Sequence, residues 1–321
     1  MLVPEEIFKL INTKNVNLYK TCKAFYEFID LVYQRVEYSY LNLNKIYFTF
    51  IIVGNDNIYN NVYKLININD LKLLPQFKHL THLTFDKYFN QPIGSWPPYI
   101  THLTFGDHFN QPIGSWPPYI THLTFGMNFN QRIETWPTLI THLTFGFYFN
   151  QSIGSWPPFI THLTFGHDFN QPIGSWPAKL THLTFGNNFD QPITSWPDKL
   201  THLTFGYNFG QPITSWPDKL THLTFGYWFN QRIETWPAQL TQLTFGSYFN
   251  QSIETWPNLI THLTFGVCFK QPFTSLPSQL KYLTLSKKYN HYVHIKVLPT
   301  SLIQINKGDI VITQDMLNRL R

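Results

Sequence analysis

Histidine recurs at 82, 102, 122, 142, 162, 182, 202, 222 and 262, nine imidazoles at multiples of 20 residues, with Gln242 standing in the remaining place. Imidazole is the side chain whose charge changes nearest to neutral pH, and it is also the commonest metal ligand. Three readings of the column stay open: a ladder of stacked rings beside a Thr ladder (Thr84 to Thr264), a recognition surface for a protein, or adventitious metal binding. A row of His lacks the three or four convergent ligands of a built zinc site. Two unit charges ~5 Å apart repel by ~0.8 kcal/mol even at bulk-water dielectric. The column is therefore expected to be neutral at pH 7 and to titrate broadly below about 6.5. The only two cysteines are Cys22 and Cys268, which could make at most one bridge. Gly-x-Ser-x-Gly, P-loop, His-Glu-x-x-His and Cys-x-x-Cys patterns are all absent. The expectation is a protein that is not an enzyme and that takes no cofactor and no catalytic metal.

The elements that must position these side chains follow from the same period. Leu-Thr-Phe-Gly or a near relative recurs every 20 residues from 83 to 263, so ten units fill Thr81 to Leu280. A degraded eleventh follows, with Lys281-Tyr-Leu-Thr-Leu-Ser286 and Leu298-Pro-Thr-Ser-Leu302. Such a period signals a solenoid or array. It accounts for a composition of 18% aromatic and only 13% charged residues in 321, which argues against disorder. A membrane span is not expected, because no apolar run approaches the roughly 20 residues one needs. The repeats carry seven Lys/Arg against nine Asp/Glu, so they lack the basic stripe of a nucleic-acid solenoid. Residues 281–321 carry seven against two and supply most of the excess positive charge.

Within a unit, Thr101-His-Leu-Thr-Phe105 reads as a short strand, Leu103 and Phe105 on one face, His102 and Thr104 on the other. Phe109, Ile113, Trp116 and Ile120 complete six expected core positions. Gly106 and its equivalents call for φ > 0 or a close approach between turns. Pro97 and its nine equivalents exclude a helical return path. Gln91 to Gln271 and the Asn110 column are expected to form amide ladders that satisfy turn backbone. Arg132 with Glu134 recurs as Arg232 with Glu234, an ion pair two residues apart or a relic of duplication. The variable residues are those just past the strand: Phe147, Tyr148, Tyr207, Tyr227, Trp228 and Tyr248 are either interface anchors or tolerated edge residues.

Ile100-x-x-Leu103-x-Phe105 has the spacing that opens a leucine-rich repeat. Phe109-Asn110-Gln111-Pro112-Ile113, with Leu103-Thr-Phe-Gly106 before it and Trp116-Pro117 after, resembles the FNIP repeat, a family similar to leucine-rich repeats. The Leu-Pro-x-Ser-Leu segment of that family survives only at Leu276–Leu280 and Leu298–Leu302, and Trp replaces its Leu elsewhere. Arrays of this family are often preceded by an F-box. Val3-Pro4-Glu5-Glu6-Ile7 and Leu18-x-x-x-Cys22-Lys-x-Phe25 resemble its opening and its later helix, although the loop between is short and the late Trp is missing. The alternative for this segment is a helical cap, since Leu18, Cys22, Phe25, Ile29 and Val32 follow helical spacing.

The expected fold is mainly β: a right-handed leucine-rich-repeat-like solenoid of about eleven turns of 20–22 residues, with a small α-helical N-terminal module. The expected divisions are an F-box-like module at 1–40, an N-terminal cap or degenerate repeat at 41–80, ten repeats at 81–280, and a degenerate repeat with a C-terminal cap at 281–321. Thr313 to Leu320 is read as a short capping helix. The resemblance implies docking of Val3, Pro4, Ile7, Leu18, Cys22 and Phe25 to the Skp adaptor of a cullin–RING ubiquitin ligase. A target protein would then lie on the solenoid face, across His102, His122, His142, His162, His182, His202 and His222 and the aromatic column. The expected chain is cytoplasmic (host cytoplasm if viral), monomeric outside the complex, and without nucleic-acid or membrane partners. A scaffold solenoid without a ligase role is the competing expectation.

Overall fold

The computed structural model describes residues 42–43, 46–47, 49–52, 62–68, 71, 74, 77–290 and 297–320. The F-box-like residues Val3, Pro4, Ile7, Leu18, Cys22 and Phe25 lie outside the described residues. The chain divides into two compact units, residues 1–126 and 127–321.

In the first unit β1 (Asn42–Leu43) pairs antiparallel with β2 (Ile46–Tyr47). β3 (Thr49–Ile52) pairs antiparallel with β4 (Val62–Ile68), and β5 (His82–Phe85), β6 (His102–Thr104) and β7 (His122–Thr124) follow, each parallel to the strand before.

In the second unit nine parallel strands follow one another: β8 (His142–Thr144), β9 (His162–Thr164), β10 (His182–Thr184), β11 (His202–Thr204), β12 (His222–Thr224), β13 (Gln242–Thr244), β14 (His262–Thr264), β15 (Tyr282–Leu285) and β16 (Gln304–Lys307). A hairpin through Gly308 turns β17 (Ile310–Thr313) antiparallel onto β16, and α1 (Gln314–Leu320) follows, one residue later than expected. Among the described residues the chain is thus mainly β, a parallel solenoid of about 12 turns rather than eleven, with little helix. The extra turn is the one before β5, whose sequence has lost the motif but whose β4 still pairs in parallel.

One turn of the second unit shows why the sequence folds this way. Leu183 and Phe185 are 1% and 3% exposed, while His182 and Thr184 between them are half-buried, so strand alternation holds. Each strand stays short because the chain turns at Gly186, where the Phe189 amide donates to the Gly186 carbonyl. Strand pairing is in register, His182 beside His202 and Leu183 beside Leu203, so every column of the sequence becomes a physical file. Phe165, Phe185 and Phe205 form one aromatic file and Phe169, Phe189 and Phe209 a second, with 5.6–6.2 Å between successive rings. Within a turn, Phe185 and Phe189 sit 4.1 Å apart.

Two of the six expected core positions are corrected. Ile113 and Trp116 are half-exposed, and Pro117 is buried instead. An indole N–H needs a partner, and it finds one at the rim: Trp196 Nε1 donates to the Ser215 carbonyl of the next turn at 2.8 Å. The ring meanwhile sets its edge against Phe205 of that turn. The glycine column answers to close approach and not to φ. Gly308 alone among the described glycines has a positive φ, 58°. A Cβ on Gly206 would instead overlap the Gly186 carbonyl. The expected amide ladders form: the Asn170 amide donates to Asn150 Oδ1 at 2.9 Å, and Gln171 Nε2 reaches the same oxygen at 3.1 Å. Arg132 pairs with Glu134 at 3.0 Å, but Arg232 reaches Glu254 one turn on at 3.2 Å, so the shared sequence does not enforce a shared ion pair.

Candidate functional site

Two surfaces carry the residues singled out by the sequence. The first is the His column. In the first unit His82, His102 and His122 stack face to face with centroids 4.1 Å apart. In the second unit His142, His162, His182, His202 and His222 continue at 4.1–4.2 Å and within 13° of parallel. His262, beyond Gln242, stacks on Tyr282 at 4.7 Å. The spacing comes from the in-register sheet, and the orientation from a contact that alternation alone did not reveal. The hydroxyl of the preceding Thr lies 2.8–2.9 Å from Nδ1 in every one of these pairs in the second unit (Thr161–His162, Thr181–His182, Thr201–His202 and Thr221–His222). The Thr that positions the ring is therefore position 1 of the unit, not the Thr84–Thr264 column. The signal was the dipeptide Thr-His itself, present in all nine His-bearing units.

Packing between neighbours changes the chemistry. Burial, then repulsion from His162, His202 and His142, pushes His182 down to about 4. Burial lowers His162; burial and then His222 and His162 lower His202; burial and then His182 and His262 lower His222. Burial and neighbouring imidazoles are thus what shifts these four rings, each towards the neutral form expected of the column at pH 7. Among the described residues no group of three or more His, Cys, Asp or Glu is arranged to hold a metal ion.

The second surface is the variable column just past the strands. Tyr207 stacks on Tyr227 at 4.4 Å, Trp228 stands edge-on to Tyr227 at 5.2 Å, and Tyr248 lies 4.0 Å from Trp228. Tyr207, Trp228 and Tyr248 are 42%, 45% and 38% exposed, while Tyr227 is half-buried among them. Phe147 and Tyr148 form a smaller patch, with Phe147 flat on His167 at 4.2 Å. His167 in turn holds Asp168 at 2.6 Å, and Asn188 donates to that carboxylate at 2.9 Å. The close phenols perturb one another: burial and then Tyr227 raise the Tyr207 hydroxyl, and Tyr227 first raises that of Tyr248. Such a cluster offers rigid aromatic area and hydroxyl hydrogen bonding with no net charge, the composition typical of protein-recognition surfaces. A third feature was not anticipated. In the first unit His79, Tyr99 and Tyr119 stack at 6.3 and 6.1 Å and, with Thr81 and Thr101, line a shallow groove. No described helix is long and apolar enough to cross a membrane.

With the geometry in hand, the likenesses to known proteins can be placed. No curated protein matches the chain. Among solved structures it is similar to CroV588, described as a novel circular LRR protein structure, with 44% identity and a TM-score of 0.65 over 71% of this chain and 40% of that one. The functional domain of InlJ from Listeria monocytogenes, which includes a cysteine ladder, shares the fold at a TM-score of 0.50 and 13% identity, over 80% of this chain and 56% of that one. This chain therefore spans well under two thirds of either protein's length. The family model described as FNIP Repeat matches at 149–188, 173–208, 189–228, 229–266 and 249–288. Over residues 149–288, then, the chain matches the FNIP Repeat model, and its fold is similar to that of leucine-rich-repeat proteins.

Proposed function

We infer that this chain binds other proteins, the use to which a parallel repeat solenoid of this kind is suited. We propose that this chain is the substrate-recruiting F-box subunit of a cullin–RING ubiquitin ligase, itself no catalyst. In this reading residues 1–40 dock to a Skp-type adaptor, and the solenoid holds a target protein. The observation that carries the binding role is the exposed cluster of Tyr207, Trp228 and Tyr248 around Tyr227 on a regular scaffold. Exposed Tyr and Trp in contact are where interface energy concentrates. The adaptor role rests on the F-box-like Val3-Pro4-Glu5-Glu6-Ile7 and Leu18-x-x-x-Cys22-Lys-x-Phe25.

The test is co-purification of the full chain with a Skp-type adaptor, beside a chain lacking residues 1–40. Capture by the full chain alone supports the proposal; failure of the full chain favours a scaffold role. For the target surface, Tyr227→Ala with Trp228→Ala should weaken capture of any protein held by the full chain, by tenfold or more if either is an anchor worth about 1.4 kcal/mol. Unchanged capture would move the binding face elsewhere.

A further inference from the structure

Between the two aromatic patches of the second unit lies a polar node. Positions 7 and 8 of each repeat are the pair that follows the glycine closing the strand. From Met127 to Cys268 the only Asp, Glu, Lys or Arg in those two columns is Asp168. Its Oδ1 lies 2.6 Å from Nδ1 of His167 and accepts Asn188 Nδ2 at 2.9 Å. An ionised carboxylate oxygen can only accept, so Nδ1 carries a proton, and in the neutral ring Nε2 is an acceptor. The same carboxylate fixes the Asn188 amide with its nitrogen inward. The 3.4 Å between that nitrogen and Nδ1 is then a contact between two donors aimed at one oxygen. Asn208 Nδ2 donates in turn to Asn188 Oδ1 at 2.9 Å. Donors thus run through successive turns towards Asp168 Oδ1, whose two lone pairs are both in use. Oδ2 accepts no bond from the described residues. Nor does a described lysine or arginine pair with this carboxylate; Lys179 lies over the Phe159 ring instead, at 4.1 Å.

His167 and Asp168 are half-buried, whereas Phe147 and Tyr148 one turn before and Tyr207 two turns on are exposed. Turns ~4.8 Å apart put aromatic rings about 5–10 Å from the carboxylate on its two sides. A half-buried anion with one open oxygen, no cation in its columns and rings on both flanks suits a ligand that is positive, donates N–H bonds and stacks. We propose that this node seats an arginine of the target protein. Its guanidinium donates to Asp168 Oδ2, and its stem and plane lie along the aromatic flanks. Guanidinium is planar, weakly hydrated and stacks on ring faces, whereas the lysine ammonium is a compact, strongly hydrated point charge. A sugar hydroxyl would hydrogen-bond the carboxylate but leave its charge uncompensated, which makes it the weaker occupant. This rests on reading the variable column as the target-binding face, and it names the side chain that the target brings there.

The test titrates the full chain at pH 8 into a capped Ala-Leu-Ala-Arg-Ala-Ala-Leu-Ala peptide with 13C-labelled arginine, followed by NMR. Versions with citrulline or lysine in place of the arginine run beside it. The arginine δ-methylene signal should move upfield as the stem settles on the rings. The arginine peptide should bind about fivefold more tightly than the citrulline peptide, the scale of a partly exposed ion pair. Absent binding, or equal binding of the citrulline or lysine peptide, overturns the site. So does maltotetraose shifting the aromatic signals of the protein where the arginine peptide does not. Asp168→Asn should remove the advantage of arginine over citrulline. Asp198→Asn takes the same charge from an exposed position in another column and should leave that advantage intact. Equal loss in both variants would reduce the effect to bulk charge and overturn the proposal. The arginine–citrulline comparison uses the unaltered chain, so it stands even if Asp168→Asn disturbs the fold. Target capture weakened by Tyr227→Ala with Trp228→Ala but not by Asp168→Asn would sink the arginine site and leave the target face standing.

Discussion

At the scale of single residues, the most constrained position is the glycine after each of β6 to β14. Its hydrogen faces the carbonyl of the turn before, and at Gly206 that carbonyl belongs to Gly186. Backbone cannot swing aside as a side-chain tip can, so the turn would have to open. Gly206→Ala should therefore cost about 3 kcal/mol, the upper end of overpacking in a close-packed interior. Gly174→Ala, where no atom lies within 4 Å of the added methyl, should cost well under 1 kcal/mol. Urea denaturation of the two variants separates the accounts; equal midpoints would mean the column is retained by descent and not by sterics. Asp86 shows the rule from its other side. It opens the column, and its amide donates to Ile68 of β4, a strand that no repeat glycine follows. The glycine column was legible in the sequence as a constraint. Its cause was not, because a positive φ and a close approach both select glycine, and only the turn-to-turn distance decides between them.

At the scale of the strand and its return path, the two halves of a unit were unequally legible. Strand alternation placed Leu183 and Phe185 inside and His182 outside, because a period of two fixes every side chain once one is fixed. The return path has no such period, so Ile113 and Trp116 were assigned inward on size alone. The indole N–H, bonded to a carbonyl one turn on at 2.7–3.1 Å from Trp156 to Trp256, holds that ring at the rim. Leu276 has no such donor, and the last turns use Ser301 Oγ instead, 2.8 Å from the carbonyls of Ser278 and Leu280. The strand face also makes a pH prediction. His182 has an ordinary value of 6.5 when unfolded and about 4 when folded, and His162, His202 and His222 move the same way. Between those values the unfolded chain binds more protons than the folded one. Stability should thus be full above pH 6.5 and fall as the pH drops towards 4. The urea midpoint should be lower at pH 5 than at pH 7.5, and His182→Gln with His202→Gln should flatten that difference. A midpoint insensitive to pH over this range would show that the stacked rings are not held neutral by their packing.

At the scale of the whole molecule, the period replaces the usual single core. Each unit contributes two Phe to continuous files and can bury neither without neighbours, so stability is a sum of contacts between adjacent turns. The Phe files end where Tyr289 takes the inner place, 5.9 Å from Phe269, its hydroxyl donating to the Gln271 carbonyl at 3.0 Å. The hairpin of β16 and β17 then closes the second unit. In such a stack the length is not fixed by the fold, and register is everything. Removing residues 181–200 joins Leu180 to Thr201, the same Leu-Thr step as Leu180 to Thr181, and returns every column to its file. Removing only residues 181–190 takes away β10, whose Leu183 and Phe185 belong to the core, and joins two unlike stretches of the repeat. The first deletion should keep the far-UV circular dichroism of the parent per residue and lower the melting temperature by only a few degrees, the loss of one unit and one interface. The second should unfold the stack around the junction and lose β signal. If both deletions were equally damaging, the repeats would be acting as one indivisible core and the column-by-column account would fail. If both were tolerated, the files of Phe, His and Asn would be incidental to stability.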